Sequence, residues 1–237
     1  MHVPFFAMSV SARSGIALCC FLLAPMAYAA APLDRVVASL EAVDLGGVDH
    51  PFFLLGREWS VALDVLRGRA NDSSTRRLLD GELGLRLLEA RADRMEVEAA
   101  RSDPEAARHL RDHRRALVDG LRAALVVRAG GATAIDRLRV LHSTFDRAFS
   151  SLVQRRAAAA IAAESLGLVA LSVDEGEARE LFRQGGHPFE AARFDDAREA
   201  FTQWLLVDRL ERAGQRHLDQ VRRLVHVNVP TLFAETL

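Results

Sequence analysis

The chain has 237 residues, 31 of them basic and 32 acidic, for a net charge of −1. That balance gives no electrostatic reason to expect nucleic acid or an anionic membrane surface as a partner. Every basic residue is an arginine, which excludes Schiff-base lysines and the phosphate-loop lysine.

The first segment reads as an address. Arg13 precedes an apolar run from Gly15 to Ala24, Pro25 ends the run, and Ala27-Tyr28-Ala29 supplies small residues where a signal peptidase reads. These features predict a secretory signal peptide over 1–29 and a mature chain beginning near Ala30, periplasmic or secreted. The run is too short for a permanent span. Leu18 rather than a small residue precedes Cys19, so lipid anchoring is not expected. A start at Met8 would give a more ordinary signal, so residues 1–7 are a candidate start-site extension.

Cleavage leaves 208 residues, 30 basic against 32 acidic, without Cys19, Cys20 or Tyr28. The mature chain can form no disulfide and offers no thiolate nucleophile, thiolate metal ligand or c-type haem attachment. Chemistry must come from Asp, Glu, His, Ser, Thr or Arg.

Residues 30–237 read as a single helical domain with a sub-boundary near 172–188. Alternating β-branched runs are missing, while Ala, Leu, Arg and Glu dominate, and no strand is expected. A short helix is predicted at about 33–44, ended by Gly46-Gly47, and a second from Pro51 to Arg69. The helix at 74–101 carries Leu78, Leu85, Leu88, Ala92, Met95 and Ala99 along one face, and Leu79, Leu83 and Leu87 widen that stripe for contact from two sides. Asp103-Pro104-Glu105 starts the next helix, which runs to Ala129 and stops at Gly130-Gly131. One long helix from 134 toward Ser172 follows, with a bend near Gly167. Its apolar stretch, Ala157–Val173, reads as a central buried helix. Ser172 and Glu175 cap a shorter helix ending at Gly185-Gly186, and helices at 189–213 and 215–227 complete the chain. The connections between the long helices are short, which implies antiparallel neighbours. The expected fold is all-α: an up-and-down antiparallel helical bundle with additional shorter helices at both ends.

Two local resemblances are short. Gly185, the run Ala192-Arg193-Phe194-Asp195-Asp196-Ala197 and Phe201 resemble the second half of a tetratricopeptide repeat. No second copy lies at a 34-residue period, and a solenoid needs about three stacked units. Glu164-Ser165 resembles the Glu-Ser pair of lytic transglycosylases, but that family's Gly-Leu-Met and Asn-Pro elements are absent. The arginine–lysine cage of secreted helical chorismate mutases has no counterpart in a chain without lysine.

Three candidate sites remain. His109 and His113 stand at i and i+4, a spacing that can chelate a transition metal. A hairpin about residue 102 would set Met95 opposite position 109, beside them. His142 falls about 9 Å too far along the bundle to join them, and His187, His217 and His226 have no readable partner. Glu164 is a carboxyl in an apolar helix, where desolvation would raise its pKa as a general acid requires. The pairs Arg76-Arg77, Arg114-Arg115, Arg155-Arg156 and Arg222-Arg223 read as a solvated, salt-bridged surface.

With no convergent catalytic set, the sequence predicts a non-enzymatic protein acting by macromolecular interaction: an adaptor, accessory or chaperone-like subunit. The partner would be another protein or an envelope component, with no nucleic acid and no stable membrane span. No catalytic, cofactor-binding or metal-binding residue is assigned. The alternative is a metal- or haem-binding bundle using His109, His113 and Met95. A third reading is an acid–base enzyme built on Glu164.

Overall fold

From Ala38 to Ala42 the segment Val36-Val37-Ala38-Ser39-Leu40-Glu41-Ala42 alternates apolar and polar side chains, and it folds as a strand. The computed structural model describes residues 35–45, 47–70 and 74–230, within one compact unit, Pro32–Leu237. The signal peptide, its cysteines, Arg13 and Met8 lie outside the described residues. Strand β1 (Val36–Ala42) pairs antiparallel with β2 (Gly47–Leu55) around a 3-10 turn at Val43–Leu45. The far end of the chain adds β3 (His226–Asn228) to the other side of β1, through Ser39↔Asn228, Leu40↔Val227 and Glu41↔His226. The sheet order is β2-β1-β3.

The described chain is therefore mostly helical, not all-α. The helix expected at 33–44 is β1, and the one expected from Pro51 starts only at Gly56. Local composition favours helix there, but strand preference is decided by fit to a half-buried pleated surface. Ala38, Leu40 and Leu54 reach zero exposure on the bundle side of the sheet, whereas Ser39 and Glu41 are only partly covered.

The helices are α1 (Gly56–Arg67), α2 (Thr75–Ser102), α3 (Pro104–Ala129), α4 (Ala132–Leu141), α5 (Phe145–Ser165), α6 (Glu175–Gln184) and α7 (Phe194–Val221). The start of α3 follows its sequence signature. The Asp103 carboxylate accepts from the Glu105 and Ala106 backbone N–H groups at 3.0 and 3.1 Å, and Pro104 occupies the first turn. At the other end, Gly130 closes the helix with φ +109°, a conformation that favours glycine.

Two other boundaries differ from expectation. The single long helix at 134–172 is divided into α4 and α5 at His142–Thr144, and α5 ends at Ser165 rather than near Ser172. Ala157–Ala160, Ala162 and Ala163 are fully buried, so the central buried helix expected over Ala157–Val173 holds for its first part only, while 166–173 lie beyond the helix end. Among the described residues, no helix is long and apolar enough to cross a membrane. The two last helices of the sequence reading are one, because α7 runs straight through Gly214.

Helices α2, α3, α5 and α7 pack on one another. α2 is contacted from two sides, by α7 and α5, and Leu78, Leu79, Leu83, Leu85, Leu87 and Leu88 are all buried. The main core joins these helices to α1 and the inner face of the sheet. A second, aromatic cluster holds α6 against the first half of α7. It contains Phe182, Phe189, Phe194, Phe201 and Trp204, with Phe201 and Trp204 stacked at 5.9 Å between ring centroids.

Candidate functional site

Two of the residues singled out by sequence, His113 and Glu164, approach each other, and Met95 lies against Ser165, the chain neighbour of Glu164. Asp93 pairs with Arg114 at 2.9 Å and Glu96 with Arg111 at 3.2 Å. These two bridges fix the register of α2 against α3 and set Met95 level with Asp112, next to His113. The hairpin turns at Asp103 rather than residue 102, and the ion pairs slide the register almost one helical turn. His109, not His113, is left out. Its imidazole is 77% exposed and faces Glu105 at 3.9 Å.

The end of α5 completes the cluster. Glu164 Oε2 lies 3.9 Å from His113 Nε2, with both side chains about half exposed. The next residue, Ser165, places its hydroxyl 3.7 Å from Met95 Sδ and 2.8 Å from the Ala162 carbonyl. A single hydroxyl proton serves the shorter contact, which leaves the thioether lone pairs free. The α5 terminus has no basic residue in its last turn, so the negative end of its dipole and the Glu164 charge add. Glu164 is not the desolvated acid of the sequence reading: it stands at the exposed end of the helix, against an imidazole. Among the described residues no three His, Cys, Asp or Glu side chains converge as a metal-binding group; the third donor here is the methionine.

The remaining histidines have other occupations. His142 contacts Asp64 at 2.8 Å, tying the end of α4 to α1. His187 bonds the Phe182 carbonyl at 2.9 Å through Nε2, and its Nδ1 accepts from Phe189 N–H at 3.2 Å. His217 is buried, with Nε2 unpartnered. Burial pushes its pKa down, nearby Asp44 opposes the shift, and Arg91 reinforces it. His226 lies on β3 opposite Glu41.

The arginine pairs are not uniformly a surface feature. Arg155 and Arg156 are 7% and 1% exposed, and both turn toward Glu82, which is 2% exposed. Arg156 Nη2 lies 3.1 Å from Glu82 Oε2, and Arg155 Nη2 3.9 Å from Glu82 Oε1. Arg86 reaches Glu82 at 3.8 Å and joins Glu58 and Glu89, each at 3.2 Å. Arg155 closes the circuit to Glu58 at 3.3 Å. A charged layer thus borders the start of the apolar stretch Ala157–Val173. A guanidinium cannot shed its charge, so its burial is tolerated only beside carboxylates. Burial drives Glu89 up to about 7, against the opposing pull of Arg86.

A second buried pair, Arg128 with Glu211 at 2.7 Å, ties α3 to α7. Arg128 also donates to the Leu66 and Arg69 carbonyls at 2.9 and 3.2 Å, pinning the end of α1. Burial raises the pKa values of Glu211 and Asp208, with Arg212 and then Arg128 opposing the shift at Asp208 and Arg128 at Glu211. These residues line a cleft of about 310 Å³ together with Arg77, Arg212 and Gln215. Its acids and guanidiniums are committed largely to one another, which suits architecture better than substrate binding. Sequence reading missed Glu82, although a signal was present. Glu82 sits three residues from both Leu79 and Leu85, on the face they bury.

No protein-family model matches the chain, and neither a curated protein nor a solved structure matches it.

Proposed function

We propose that this is an exported protein, periplasmic or secreted, whose single helical domain acts by binding another macromolecule as an adaptor, accessory or chaperone-like subunit. The supporting observation is the sheet at the end of the bundle. β1 is its central strand, and no described strand pairs with the outer edge of β2. Phe53 on β2 is half exposed. Unpaired strand edges accept an extended segment from a partner, with main-chain hydrogen bonds giving affinity and alternate side chains giving specificity. The partner fitting this edge is an extended segment of another envelope protein, aligned along residues 52–55 beyond Pro51. The reading includes an antiparallel order for α2 and α3, which the Asp93–Arg114 and Glu96–Arg111 bridges support; α7 instead runs parallel to α2, since Arg77 and Leu78 share a cleft with Asp208 and Arg212 while Arg91 lies near His217. It assigns no catalytic residue and no nucleic-acid partner.

Photo-crosslinking in living cells tests it. A photoreactive residue in place of Phe53 should give one discrete adduct with another protein, and the same probe in place of His109, an exposed position near the start of α3, should not. Absence of an adduct at Phe53 refutes the reading. The chain recovered from the cell envelope should begin within a residue or two of Ala30.

A further inference from the structure

We infer that Met95, His113 and Glu164 form a binding site for a single copper ion, held in the cuprous state. The inference is independent of the partner-binding role proposed above. Its basis is that side chains from three helices approach one corner: the His113 imidazole of α3 lies 3.9 Å from the Glu164 carboxylate of α5, and the Met95 thioether of α2 lies 3.7 Å from the hydroxyl of Ser165, the chain neighbour of Glu164.

The geometry suits an ion. Two ligands at about 2.0–2.1 Å from one metal lie at most about 4 Å apart. His113 Nε2 and Glu164 Oε2 are 3.9 Å apart, too far for a hydrogen bond with each other and close enough to grip an ion after a small side-chain rotation. Met95 Sδ is anchored beside them through Ser165, the chain neighbour of Glu164. All three side chains are at least partly accessible, so an ion can enter without unfolding the bundle.

The charge around the site also favours a cation. Glu164 adds its charge to the carbonyl end of α5, where no arginine answers it in the last turn. On α3, Arg111 and Arg114 are already bonded to Glu96 and Asp93, and Arg216 of α7 is committed to the Leu168 carbonyl beyond the end of α5.

The donor set selects the metal. A thioether is a soft, neutral ligand that favours copper(I), imidazole serves copper or zinc, and a lone carboxylate would be a poor basis for a hard-ion site. Zinc and calcium want more nitrogen, thiolate or oxygen ligands than this corner offers. His109, exposed one turn away and facing Glu105, has no place in the set.

The test is an anaerobic titration of the purified protein with copper(I) against a chromophoric competitor. The expected result is one equivalent bound. Met95→Leu and His113→Ala should each weaken binding by at least about tenfold, in line with the loss of a direct ligand, and Glu164→Gln should weaken it less. His109→Ala should bind like the parent. Thermal unfolding of the metal-free variants should match the parent, because these positions lie at the bundle's rim. No binding, binding unchanged in Met95→Leu and His113→Ala, binding lost in His109→Ala, or zinc held as tightly as copper(I) would each overturn the inference.

Discussion

Gly84 on α2 and Gly214 on α7 meet backbone to backbone. A Cβ on Gly84 would fall 1.9 Å from the Gly214 carbonyl oxygen, and one on Gly214 would fall 2.6 Å from the Gly81 carbonyl oxygen. Neither position can accept a methyl group unless the helices separate. That close approach explains why α7 tolerates a glycine at its middle, where glycine alone would cost about 1 kcal/mol relative to alanine.

Gly84→Ala should therefore destabilise the protein by about 3 kcal/mol or more, since overpacking against backbone leaves no side chain to yield. Gly120 lies on the exposed face of α3, where an added Cβ would meet nothing within 4 Å. Gly120→Ala should stabilise by up to about 1 kcal/mol through helix propensity. Urea unfolding of the two variants checks both signs, and a neutral Gly84→Ala would show that α2 and α7 do not approach this closely.

The charged layer predicts an asymmetry. Glu82→Gln leaves Arg156 and Arg155 buried without their shared carboxylate, and should cost about 3–5 kcal/mol. Replacing Glu82 and Arg156 together by leucine should cost much less than the sum of the single replacements, because the desolvation penalty leaves with the charges. A loss below about 1 kcal/mol in Glu82→Gln would mean that water reaches the layer.

Glu89 makes stability depend on pH. Its folded pKa of about 7 stands above the ordinary 4.5, chiefly through burial. A raised folded pKa means that stability is fully present below about pH 4.5 and declines as pH rises through 7. Glu89→Gln, neutral throughout, should match the parent at pH 4 and exceed it by up to about 3 kcal/mol above pH 7.5. Equal stability curves across that range would place Glu89 in water.

Leu88 lies on the most regular face of α2 and is fully buried. Leu88→Ala should cost about 2–5 kcal/mol, read from the denaturation midpoint. A loss under about 0.5 kcal/mol, as expected of an exposed position, would turn the stripe into a surface.

By itself the sequence determined the features that live within one turn of chain. The Asp103-Pro104 helix start, the Gly130 stop, the leucine stripe of α2 and the buried alanine stretch of α5 could all be read because caps and helical periodicity are local. It also brought Met95 and His113 to notice as one candidate set with His109, and Glu164 apart from them, as residue types with coordinating or acid–base chemistry. What only the tertiary structure decided were the long-range pairings. β1 is a strand because β2, from the same hairpin, and β3, nearly two hundred residues away, flank it, and no window of a few residues contains that choice. Arg155 and Arg156 are interior residues because Glu82 on another helix compensates them. Met95 stands level with Asp112 rather than with His109 because two cross-helix ion pairs set the register. A helix fixes which residues share its face, but its neighbour fixes how far it slides, and that sliding chose which histidine lies nearer Met95 along the bundle.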